Sequence, residues 1–131
     1  MKSSLRLGEA MNYESRSRVG SKVRPEVTFT LRRMSVERRV DLTRRLRELL
    51  QKIEFLESGS NPRESMEAAL VAAEVNQIYL SWGLAAIEGL EIDGQGATPE
   101  SLISAGPEDL CREIIAAIRA ECGLSEAERK N

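Results

Sequence analysis

Histidine is absent from the 131 residues. With it go the commonest general base, the usual serine and cysteine hydrolase dyads and most zinc arrangements. Aromatic residues make up only 4% of the chain, too few for a platform on which successive single-stranded bases stack. No run of about 18 uncharged apolar residues is present to span a bilayer. The N-terminus also lacks the apolar stretch that follows the basic region of a secretory signal, so the expected location is cytoplasmic, with no membrane contact. There are only two cysteines, Cys111 and Cys122. They lie in what reads as one helix, about 16 Å apart along its axis at roughly 1.5 Å per residue, too far to bridge. The plainer expectation is two small apolar side chains in a reducing compartment, with a redox role as the alternative. The glycines at 89, 94 and 96 match neither a phosphate loop nor a dinucleotide fingerprint.

What is present is 41% hydrophobic residues and 31% charged ones, enough for a single modest core but not two. The formal charge of -2 hides an asymmetry. Residues 1 to 24 hold six Lys/Arg against two Glu, and residues 25 to 131 hold the remaining thirteen against nineteen acids. The first segment has scattered apolar residues without a period, which cannot offset the entropy of ordering it, so a basic, disordered arm is expected ahead of one α+β domain at 25 to 131.

In that domain, Val27, Phe29 and Leu31 alternate with Glu26, Thr28 and Thr30, the period of a half-buried strand. Ser35 is placed to cap a helix running to about Glu57, with Leu42, Leu46, Leu49, Leu50, Ile53 and Leu56 on one stripe. Asn61, Pro62 and Glu64 open a second helix with a capping box, and its alanines permit close, antiparallel approach to the first. The pattern changes around residues 79 to 83. Residues 84 to 92 then read as a strand interrupted by Gly89, with Asp93-Gly94 turning a hairpin into a return strand at 95 to 97. Thr98-Pro99 begins a short helix, and Pro107 begins another that ends at Gly123, with Leu110, Cys111, Ile114, Ile115 and Ile118 buried. Ser125 and Glu128 suggest one last capped turn.

Candidate sites are few. Glu88, Glu91 and Asp93 could be read as paired carboxylates, but beside a hairpin such acids normally face water. The segment also has too few alternating oxygens for a calcium loop. No catalytic residue, metal ligand or cofactor site is expected, and the chain is not expected to be an enzyme. The first helix carries a basic surface of Arg38, Arg39, Arg44, Arg45 and Arg47. These residues surround its first two turns, whereas phosphate-backbone binders usually place their charges on one face. A solvated helix is the plainer reading, and a surface for an acidic protein or nucleic acid is the alternative. Trp82, the only tryptophan, sits at the most apolar junction of the chain and reads either as core or as an anchor for a partner.

The order of these features, and in particular "YLSWGLAAIEGLEIDG" leading into "TPESLI" and the "GLSEAERKN" ending, resembles the small tail assembly chaperones of tailed bacteriophages and prophages. The resemblance covers roughly residues 25 to 131. It implies a helix-dominated α+β fold, with an antiparallel helix pair, a small antiparallel sheet or hairpin and C-terminal helices. It also implies a role in virion assembly in the host cytoplasm, holding the tape measure protein soluble until tail tube protein subunits polymerise around it. By analogy, Leu49, Ile53, Leu56, Ile78 and Trp82 would line the client groove, and self-association through residues 60 to 84 is left open. The alternatives are a nucleic-acid-binding accessory protein using the basic arm and the Arg-rich helix, or a structural virion component.

Overall fold

The computed structural model describes residues 8–59 and 61–123. Two antiparallel helices, α1 (Val36–Glu57) and α2 (Pro62–Gly83), follow a pair of strands, β1 (Arg16–Gly20) and β2 (Thr28–Arg32). After α2 come β3 (Leu84–Glu88), the two-residue strands β4 (Glu91–Ile92) and β5 (Gln95–Gly96), and the helices α3 (Pro99–Ala105) and α4 (Glu108–Glu121). This is the expected α+β architecture of a helix pair, a small antiparallel sheet and C-terminal helices. Among the described residues no helix is long and apolar enough to cross a membrane.

Local signals set most of the boundaries. The Ser35 hydroxyl accepts from the Arg38 amide at the start of α1, and the Asn61 side chain accepts from the Arg63 amide at the start of α2. Each satisfies one of the donors that a helix N-terminus leaves unpaired. The expected Glu64 capping box does not form, and the Glu64 carboxylate lies over Gly59 instead. A reciprocal box does form in α3, where Thr98 and Ser101 each bond the other's backbone. Pro107 caps α4 from outside the helix and does not open it. The Ser125–Glu128 turn lies outside the described residues.

One larger expectation is also corrected. Residues 16 to 20 are not part of a disordered arm, because β1 pairs antiparallel with β2 from Arg16↔Arg32 to Gly20↔Thr28. Its sequence looks featureless because β1 is an edge strand and buries little of its own; the backbone ladder and the ties beyond it hold it in place. The connection after it is anchored on α4, where Glu113 accepts from the Ser21 hydroxyl at 2.6 Å and the Lys22 amide at 2.7 Å. The pattern change expected around residues 79 to 83 marks the end of α2 at Gly83 and the start of β3 at Leu84. Helix α2 continues to Gly83 because Tyr79, Leu80 and Trp82 are all buried in it. What changes there is the width of the buried face.

Strand β2 is central in the order β1-β2-β3 and buries Phe29 and Leu31, next to Val27, on the helices. They meet Leu42 and Leu46 of α1, Val75, Tyr79 and Trp82 of α2, and Leu110, Ile114 and Ile118 of α4 in one cluster. Each such side chain contributes about 1.5 to 3 kcal/mol when fully buried. A smaller cluster of Leu56, Ala68 and Val71, with Leu49 and Ile53 against it, closes the far end of the helix pair.

Gly89 joins β3 to the hairpin at φ +85°, and a Cβ there would collide with the Glu26 carbonyl. Gly94 has a similar φ of +80° in open space. Gly89→Ala should therefore cost about 2 to 4 kcal/mol in urea unfolding, and Gly94→Ala only about 1. Equal losses at the two sites would show that the close approach at Glu26 does not constrain the fold.

Candidate functional site

The stripe expected to form a client groove is largely used up in folding. Leu49, Ile53 and Leu56 face Ala68 and Val71 along the α1–α2 seam, and Ile78 packs on the main core. Trp82 is only 4% exposed, so it is a core residue and not a surface anchor. The cause is the antiparallel pairing itself, which spends the most regular apolar stripe of α1 on α2.

What remains open is the next groove round α1. It holds about 320 Å³ and is lined by Met34, Leu42, Leu46, Leu50, Tyr79 and Cys122, with Arg39 and Arg47 among its walls. Its floor is core and its lip is Leu50, which is 41% exposed. Along α1 the side chains at 39, 43, 47 and 51 form one i, i+4 ridge, and those at 42, 46 and 50 form the next. Both ridges line the groove, and Met34, Tyr79 of α2 and Cys122 at the C-terminus of α4 supply the rest of its wall. Beyond this channel, Phe55, Met66 and Leu70 are 72%, 75% and 56% exposed. The far end of the helix pair thus carries more apolar surface than the fold consumes.

The arginines of α1 divide by task. The Arg38 guanidinium lies 3.9 Å from the Trp82 ring centroid and donates to the Trp82 carbonyl at 2.6 Å. Burial in the first place, and the Arg32 charge in the second, hold its pKa below the usual arginine value. Two buried donors in this contact, Arg38 Nε and Trp82 Nε1, have no hydrogen-bond acceptor among the described residues. Arg39 donates to the Cys122 carbonyl at 3.0 Å, tying the last turn of α4 to α1. Arg45 pairs with Asp41 at 3.0 Å. Arg44 and Arg47 are exposed, and only Arg47 borders the groove. The five do not form one basic face.

Both cysteines are free, and burial, the main cause for each, raises their pKa values. That favours the inert thiol over the reactive thiolate. Among the described residues no three His, Cys, Asp or Glu side chains gather into a metal-binding group. No protein-family model matches the chain, and neither a curated protein nor a solved structure matches it significantly.

The groove was not legible in advance because two of its walls, Met34 and Cys122, come from connections and not from a periodic stripe. Leu50, expected on the buried stripe with the other leucines of α1, lies at its edge and is exposed, whereas Leu42 and Leu46 are buried.

Arg38→Ala should uncover Trp82, shifting its emission to the red and lowering stability by about 2 kcal/mol. Arg45→Ala, which loses only a surface pair, should change stability by less than about 0.5 kcal/mol. Chemical denaturation followed by tryptophan fluorescence measures both, and an unshifted emission in Arg38→Ala would show that the guanidinium does not shield the indole.

Proposed function

We propose that this protein is a reversible binder of another polypeptide, acting as a tail assembly chaperone that holds a helical segment of the tape measure protein until the tail tube forms. The observation that carries the reading is the α1 groove, a mostly apolar channel with two arginines in its walls. An amphipathic helix fits such a channel by placing apolar side chains at i, i+3 or i+4 and i+7 on its floor. The positions of Arg39 and Arg47 favour a client helix whose flanks are acidic. The exposed Phe55, Met66 and Leu70 extend the apolar surface available to a long client beyond the groove. The resemblance noted in the sequence supplies the client's identity, and the groove supplies a means of holding it.

The test is co-expression with a tape measure protein of a tailed bacteriophage, scored by the soluble fraction of the client. The wild-type chain should raise that fraction. Leu50→Glu places a charge on the groove's lip without entering the core and should abolish the gain, and Arg47→Glu should reduce it. A client equally soluble with and without the wild-type chain would overturn the proposal. So would a Leu50→Glu variant that is as effective as wild type.

A further inference from the structure

A second pocket lies where the segment before β1 passes the end of β2 and the start of α1. It holds about 200 Å³ and is lined by Tyr13, Arg16, Arg32, Arg33, Ser35 and Arg38, among others. Four of these side chains are cationic, and no Asp or Glu lines the pocket among the described residues. Folding creates this concentration of charge. The β1–β2 register sets Arg16 directly opposite Arg32, a like-charge pair that destabilises a sheet. The Arg33 amide donates to the Ser15 carbonyl at 2.8 Å, which brings the segment carrying Tyr13 to the pocket's edge.

Two neighbouring acids are engaged elsewhere. Asp41 is paired with Arg45 and Glu121 accepts from the Met34 amide, while Glu37 lines an adjoining depression that shares Arg38 with the pocket. Two of the arginines are also held in position. Arg32 donates to the Leu84 carbonyl at 3.1 Å, and Arg38 is fixed on Trp82. A site that repels itself when empty and is pre-organised by its neighbours suits an anion that several guanidinium groups share. Ser35 caps α1 here, so the positive end of a 22-residue helix adds to the same field. The Tyr13 ring, 62% exposed, has the Arg33 guanidinium 5.8 Å from its centroid. It leaves a planar surface beside the charges.

The geometry points to a phosphate-binding pocket formed by Arg16, Arg32, Arg33 and Arg38, with Tyr13 placed to stack on a base, so that the ligand class is a phosphate group, free or carried by a nucleotide. This goes beyond client binding and uses a different face of α1. The groove and the pocket share only Met34.

The experiment is a titration of the full chain at constant ionic strength with inorganic phosphate, adenosine monophosphate and a short single-stranded oligonucleotide, followed by backbone amide NMR. Saturable shifts are expected at the amides of Arg16 and residues 35 to 38. Arg16→Gln and Arg33→Gln should each weaken binding about fivefold to tenfold. Arg16→Gln should also melt at a higher temperature than wild type without ligand, because it relieves the Arg16–Arg32 repulsion. Weaker binding with greater stability is a combination that a purely structural arginine would not give. Tighter binding of the nucleotide or oligonucleotide than of inorganic phosphate would support the pocket and assign the phosphate to a nucleotide. Equal binding would support it for phosphate as such. Linear shifts that do not saturate with any of the three, or an Arg16→Gln protein that binds as well as wild type, would overturn it.

Discussion

Helix α2 is buried on more than one side, and the rest of the molecule is arranged around that fact. Ala68, Val71, Val75 and Trp82 share the stripe turned toward α1, where Arg38 lies over the indole, while Leu80 on another side borders Leu102 of α3 and Ile115 of α4. A helix with two apolar faces cannot stop at a hairpin partner and needs a second layer. Here β3 leaves directly from its C-terminus, and α4 returns across it. Gly83 permits that return, since a Cβ there would strike the Ile118 side chain. The N-terminal half of α2 receives no such cover, which is why Met66 and Leu70 remain in water.

This division explains where binding surface is left over. The seam between α1 and α2 is used for stability, so the side chains with the most regular spacing are the least free to meet a partner. The open groove arises at the margin, where α1 outruns the elements packed on it. A similar division holds for charge. Arginines that look like one basic helix in the sequence become a stacked cation over Trp82, a donor to the Cys122 carbonyl, a surface pair and two exposed positions. Proximity in sequence says little about shared function on a helix, because side chains three and four apart share a face and neighbours do not.

Much of the fold was legible because its signals are local. Caps at Ser35, Asn61 and Thr98, the Asp93-Gly94 turn and the alternation through Val27, Phe29 and Leu31 each act within a few residues. Strand β1 was not legible, because its own side chains bury little and the ties that hold it beyond the β2 ladder, Glu88 and Glu113, lie far along the chain. The burial of Trp82 could be posed but not decided in advance, because Arg38, which covers it, sits 44 residues earlier. The arginine pocket was hidden for the same reason as β1. Only Arg32 and Arg33 adjoin in sequence, and the strand pairing brings up Arg16.

Strand β1 adds a single half-buried apolar side chain, Val19, to the interior. Beyond the ladder it is held by polar ties at its margins: Arg18 to Glu88 at 2.7 Å, and the turn after it to Glu113. Peeling it away would open little of the hydrophobic cluster, so it belongs to the least protected layer of the molecule and should exchange its amides ahead of the helices. Whatever occupies the cationic hollow beside it would also select the docked strand. A ligand there and closure of the sheet would be linked equilibria, each favouring the other.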